Sequence, residues 1–303
     1  MAQPVTEMPA IEVQALTKRF GETVANDALE FHVESGEIFG FLGPNGAGKT
    51  TTLRTLLGLL SPTSGTATVL GADVRDEEAL RQARKRIGYL PAELSFTESV
   101  TGESFLGYQA ALKGDERLTE MTDLFDPPLE KPIRTYSSGN RQMLGLIQAF
   151  MHDPDLVIMD EPTSGLDPLK QERLNSFLRA EREAGTTIFF SSHVLGEVRR
   201  ICDRVGIIRE GELVALEDIE SLLAKGGKRV RLHTDEPLAA DALDLSGIVD
   251  FEQVGTVTRF TFTGDYNDLL AALSTHSLID MEIEEPPLEE VFMHYYGDDR
   301  RER

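Results

Sequence analysis

Along this chain the apolar positions fall into short runs separated by longer stretches with helical spacing. Ile11 to Phe20 alternates, with Glu12 and Gln14 set between Ile11, Val13 and Ala15, the period-2 pattern of a half-buried strand. A second strand is expected over Leu29 to Val33, followed by a turn at Ser35-Gly36. Ile38 to Leu42 is continuously apolar and ends at Gly43, which predicts a strand covered on both faces. Gly48 to Leu60 reads as a helix stopped ahead of Ser61-Pro62. A strand over Thr66 to Leu70, a helix over Leu80 to Arg86 and a strand over Ile87 to Leu90 follow. From Glu98 to Met151 the spacing turns mostly helical, with a break at Asp126-Pro127-Pro128. Strand patterns return at Leu156 to Met159 and Thr186 to Phe190, with a helix over Leu169 to Ala184 between them. Glu217 to Leu223 is expected to close this run as a helix. Alternating strands and helices predict an α/β unit built on a mainly parallel, helix-covered sheet.

Gly226-Gly227 marks a linker. Beyond it Arg229 to His233, Thr256 to Thr263 and Met281 to Ile283 read as strands and Tyr266 to Ser274 as a helix, a small α+β appendage. The expected boundaries are a flexible N-terminus over 1–10, a main domain over 11–224 with a helical subdomain at about 98–151, and an accessory domain over 225–303. The charged tail, Gly297 to Arg303, is expected to fray.

Composition narrows the setting. No stretch reaches the ~18 apolar residues that a membrane helix needs, and Met1 to Ala10 lacks the basic start and apolar run of a signal peptide. Any membrane role is therefore expected to be peripheral, and the lone cysteine fits a reducing cytoplasm. The single cysteine, Cys202, excludes an internal disulfide and reads as a small buried apolar residue in a helical stretch. The net charge of -22 opposes contact with nucleic acid over most of the surface. It suits either an ordinary soluble acidic protein or one from a cell of high internal salt, where screening shortens the reach of self-repulsion.

The chemistry concentrates in a few places. Gly43-Pro44-Asn45-Gly46-Ala47-Gly48-Lys49-Thr50 fits the P-loop pattern and lies between a predicted strand and a predicted helix. The glycines let successive N–H groups curl toward phosphate oxygens, and the helix N-terminus adds favourable partial charge. Asn45, Gly46, Ala47, Gly48, Lys49, Thr50 and Thr51 are the candidate ATP contacts, with Lys49 on the β- and γ-phosphates and Thr50 on Mg²⁺. The apolar strand Leu156 to Met159 ends in Asp160-Glu161. Asp160 is placed to hold Mg²⁺ and Glu161 to orient the attacking water.

With these residues in view, the sequence resembles the ATP-binding subunit of an ABC transporter. Tyr136-Ser137-Ser138-Gly139-Asn140-Arg141-Gln142 is similar to the family's Leu-Ser-Gly-Gly-Gln signature. Ser164-Gly165-Leu166-Asp167 resembles its D-loop, and His193 its switch histidine. The motifs run in the family's order, and with flanking strands the resemblance covers roughly Ile11 to Leu223. It implies a P-loop NTPase (ABC ATPase) core with an antiparallel β subdomain and a helical subdomain. It also implies ATP hydrolysis with Mg²⁺, pairing of two copies or of two ATPase subunits, and a separate integral-membrane permease. On the same ground Ser137, Ser138, Gly139 and Asn140 act in trans on the nucleotide of the opposite subunit. Asp167 sits at the seam, His193 contacts the γ-phosphate, and Phe20, ahead of Val24, stacks on adenine.

The chain departs from the pattern at Leu90-Pro91-Ala92-Glu93, where Ala92 stands in place of the family's metal-ligating Gln. Glu93 or water is left to fill that place. Glu285-Pro286-Pro287-Leu288-Glu289-Glu290-Val291-Phe292 resembles the tail of subunits serving ABC-2-type permeases, many of them exporters. Read on its residues alone, it is an amphipathic helix with Leu288, Val291 and Phe292 on one face. The rival readings are an importer subunit and a soluble ABC ATPase. A P-loop GTPase or kinase would leave the signature and His193 without a role.

Overall fold

Ile11–Phe20 (β1) turns at Gly21-Glu22 into Thr23–Val33 (β2), an antiparallel pair with Ile11 opposite Val33 and Phe20 opposite Thr23. The protein is represented by a computed structural model that describes residues 8–284, apart from 226, 240, 241 and 244. The Leu288, Val291 and Phe292 stretch and the charged tail lie outside the described residues. β2 starts well before the expected Leu29. Register shifts in β1, with Ala15 at φ 47, and Ala28 of β2 at φ 45 accompany the entry of the polar Asn26 into the ladder opposite Lys18.

Ile38–Leu42 (β3) is buried throughout, and Lys49–Leu56 (α1) follows it. α1 stops short of the expected Leu60 because Leu57 caps it and Gly58 turns the chain at φ 66. Ser64–Val69 (β4) and Ala72–Asp73 (β5) complete an antiparallel sheet ordered β2-β1-β4-β5. Glu77–Ala83 (α2) starts a turn earlier than its apolar spacing suggests. The Asp76 carboxylate accepts from the N–H groups of Glu78 and Ala79, and acidic Glu77 and Glu78 fill the first turn.

Ile87–Leu90 (β6) leads into three helices, Gly102–Lys113 (α3), Leu118–Phe125 (α4) and Ser138–Phe150 (α5). Thr101 caps α3 and Ser137 caps α5, while α4 ends at Asp126 in a left-handed conformation ahead of Pro127-Pro128. Leu156–Asp160 (β7), Pro168–Glu183 (α6), Thr187–Ser192 (β8), Leu195–Ile201 (α7), Arg204–Arg209 (β9) and Glu212–Asp218 (β10) then alternate. Glu217 and Asp218 therefore end a strand, where the sequence suggested a helix. Cys202 caps α7 rather than lying inside it, and its buried sulfur packs where a Cβ on Gly40 would fall.

The main sheet has the order β10-β9-β3-β8-β7-β6, with β9, β3, β8, β7 and β6 parallel. Phe31 from the antiparallel sheet packs on Phe39, Phe41 and Phe189 of the parallel one, with ring centroids 5.5–6.1 Å apart. Burying each such ring is worth about 2–3 kcal/mol, so these four residues fasten the two sheets together. The C-terminal ends of β3, β7 and β8 lie side by side, the edge where open α/β sheets hold ligands.

One compact unit ends at Glu217 and a second begins at Asp218. The second holds Ile219–Lys225 (α8), Lys228–Thr234 (β11), Ile248–Val254 (β12), Val257–Phe262 (β13), Tyr266–Leu273 (α9) and Leu278–Glu284 (β14). Its sheet is ordered β12-β13-β11-β14, and Val230, Leu232, Phe260, Phe262, Leu269 and Leu273 form its core. No helix among the described residues is long and apolar enough to cross a membrane.

Candidate active site

Residues 43–50 leave the end of β3 and fold over into α1. Two glycines are forced by close approach. A Cβ on Gly43 would lie 2.3 Å from the Ile208 carbonyl oxygen. One on Gly48, at φ 109, would lie 2.3 Å from that of Ala25. Buried Asn26 of β2 donates to the Gly48 carbonyl at 3.3 Å and to Thr52 Oγ1 at 3.0 Å, so the antiparallel sheet holds the start of α1. Lys49 is only 6% exposed. Its ammonium donates to the carbonyls of Gly43 at 2.6 Å and Pro44 at 3.3 Å.

At the end of β7 the Asp160 carboxylate is buried, and both its oxygens are engaged. Thr50 Oγ1 donates to Oδ2 at 2.7 Å, and the Ser191 hydroxyl on β8 donates to Oδ1. Glu161 follows in a left-handed conformation, φ 54, with its N–H donating to the Ser191 carbonyl at 3.2 Å. A non-glycine residue in that region is strained, and with this backbone the Glu161 carboxylate meets Lys49 and His193. Its Oε1 lies 3.5 Å from Lys49 Nζ, and its Oε2 accepts from His193 Nδ1 at 2.8 Å.

The two loops bearing Glu161 and His193 are braced from α7. Glu197 accepts from the Thr163 hydroxyl through Oε1 and from Ser192 Oγ at 2.7 Å through Oε2. Gln142 of α5 donates to the Pro162 carbonyl at 2.8 Å, tying α5 to the residue after Glu161.

A cavity of about 290 Å³ opens over this cluster, lined among others by Asn45, Lys49, Thr50, Thr51, Ala92 and Glu161. Gly46, Gly48 and Asp160 also line it, and Ala47 supports the loop from beneath by donating to the Pro44 carbonyl at 3.1 Å. Ala25 forms one wall, but Phe20 and Val24 do not line the cavity. Phe20 is 49% exposed, with the Lys18 ammonium 5.0 Å from its ring centroid. Ala92 lines the cavity and Glu93 does not. Ser137, Ser138, Gly139 and Asn140 form a separate face at the start of α5. Gly139 packs against Gly165, and Asp167 caps α6 by accepting from the Lys170 N–H at 3.0 Å.

Sequence reading missed Asn26, Ser191 and Glu197, and named Gln142 only within the signature-like stretch. Glu197 follows His193 at helical spacing, and Ser191 is a hydroxyl at the end of an apolar strand. Those were the only local signals. The metal chemistry fits: Thr50 and Asp160 present adjacent hard oxygens. Among the described residues no group of three His, Cys, Asp or Glu could hold a metal unaided. A cation here would be completed by phosphate and water oxygens, which is how Mg²⁺ binds with nucleotides.

A family model described as ABC transporter matches residues 26–164. The chain is 35% identical over 299 residues to the bacitracin transport ATP-binding protein BcrA of Enterococcus faecalis, a match spanning 95% of this chain and 96% of that one. It is 33% identical over 311 residues to the Nod factor export ATP-binding protein I of Ralstonia nicotianae, spanning 97% and 96%. A solved structure described as the ATP binding subunit of an ABC transporter superposes with a TM-score of 0.65 at 28% identity, over 70% of this chain and 91% of that one.

Proposed function

This chain belongs to the ATP-binding subunits of ABC transporters and is an ATPase, and from that premise we propose that it powers export through a separate ABC-2-type permease at the cytoplasmic face of the membrane. Two copies bind two ATP molecules between the P-loop face of one and the Ser137–Asn140 face of the other. Phe20 and Val24 meet the adenine end. Thr50 and Asp160 hold Mg²⁺, which neutralises phosphate charge when bound.

The reaction is attack of water on the γ-phosphorus with cleavage of its bond to the bridging oxygen, giving ADP and phosphate. Glu161 accepts a hydrogen bond from the water and lines it up. Lys49 meets the charge that develops on the transferring group, and His193 meets it through an N–H on Nε2 while Nδ1 holds Glu161, which requires a proton on both ring nitrogens. Asp167 sits at the seam between the copies. One observation carries this reading: a single carboxylate, Glu161, lies between a buried lysine and a histidine, one residue beyond the Thr50–Asp160 hydrogen bond.

The name of one relative, Nod factor export, supports export over import. The acidic net charge of -22 supports a cell of high internal salt and argues against a nucleic-acid partner. The test is a mild-detergent pull-down of the tagged chain from its host's membranes at high salt. A multi-span membrane protein in stoichiometric amount is expected. Recovery from the soluble fraction alone, across several detergents, would overturn the transport reading and leave a soluble ABC ATPase.

A further inference from the structure

Lys170 stands at the third position of α6, and its ammonium reaches across to the first turn of α5. Nζ lies 3.4 Å from Asn140 Oδ1 and 3.8 Å from Asp167 Oδ2. A Cβ on Gly139 would sit 3.3 Å from that Nζ and 3.2 Å from the Gly165 carbonyl oxygen, so the lysine end lies close against the backbone at the helix start. A cation here runs against local electrostatics. The N-termini of α5 and α6 both carry positive partial charge, and a lysine beside them adds to it. Asp167 offsets only part, because its carboxylate is largely exposed and also serves as the cap of α6. In an acidic chain, a convergence of positive groups at one surface calls for an anion from outside. The chain's own nucleotide does not supply it, since neither Lys170 nor Ser137–Asn140 lines the cavity over the P-loop.

We propose that Lys170 contacts in trans the terminal phosphate of the ATP held by the second copy, beside Ser137 and Gly139. The inference rests on the two-copy reading above and adds a residue to it. Closure of the faces brings the phosphate to the ammonium, so Lys170 favours the ATP-bound pair over the ADP-bound one and over the separate copies.

The experiment uses full-length chain carrying Glu161→Gln to retain ATP. It compares that background with versions also carrying Lys170→Ala or Lys170→Arg. Sedimentation velocity reads pairing with ATP or ADP, and a fluorescent ATP analogue reads binding to the unpaired chain. Lys170→Ala is expected to raise the chain concentration needed for ATP-dependent pairing about tenfold or more, as befits one charge-assisted hydrogen bond at each of two sites. Lys170→Arg should restore most of the loss, and binding to the unpaired chain should be unchanged. Lys170→Ala that pairs like the background overturns the role of Lys170 alone. So does a matching loss of ATP binding by the unpaired chain. A Glu161→Gln background that binds ATP yet never pairs overturns the two-copy reading, and the Lys170 proposal with it.

Discussion

His152 is buried beyond the end of α5, and neither ring nitrogen makes a hydrogen bond of regular geometry. Burial first, and the Lys113 charge second, push its pKa from 6.5 down to about 4. The unfolded chain therefore takes a proton at a pH where the folded one does not, and stability is lost as pH falls from 6.5 toward 4. Across that window the loss amounts to about 3 kcal/mol. Urea denaturation at pH 7 and pH 5 should show the parent losing about 2 kcal/mol more than His152→Leu. Parallel pH profiles would refute this account of His152. At this scale the active site was half legible. Lys49, Thr50, Asp160 and Glu161 follow from motif spacing, because phosphate and metal chemistry fixes residue types over a few positions. Ser191, Asn26 and Glu197 take their meaning from neighbours brought together by the sheet, and spacing along the chain does not carry that.

Elements are tied to one another by a small number of polar contacts. Arg117, at the start of α4, donates to both carboxylate oxygens of Glu181 on α6, at 2.6 and 2.7 Å, and also to Glu120. Glu181 is almost fully buried, so removing Arg117 strands a carboxylate away from water. Arg117→Met should cost about 3–5 kcal/mol in urea denaturation, well above the cost of Glu120→Gln on the exposed side of the same guanidinium. Equal effects of the two changes would contradict this. A mainly parallel sheet was readable because buried β3, most of β7 and residues 188–190 of β8 are apolar runs alternating with helical spacing. β9 escaped notice because only Val205 to Ile208 is buried between charged ends, directly after α7. β12 escaped because its exposed positions blur any alternation. The end of α1 was misplaced where Gly58 turns the chain, and the helix expected from Glu217 starts two residues later because β10, which the apolar spacing did not show, runs to Asp218.

For the whole molecule, the charge of -22 bears on the proposed closure of the main unit against a second copy. Raising salt from about 0.1 M to about 1 M shortens the screening length from ~10 to ~3 Å and relieves self-repulsion within and between copies. Thermal unfolding in KCl should accordingly shift upward by about 5 °C or more over that range. A flat or falling Tm would argue against adaptation to high salt. The central claim is that Glu161 orients the water that splits ATP between two copies. It is tested most directly by ATP turnover of purified Glu161→Gln against the parent, with analysis of the nucleotide that stays bound. The account predicts turnover down about a hundredfold or more, with ATP rather than ADP retained in a paired form. Turnover equal to the parent's would contradict it.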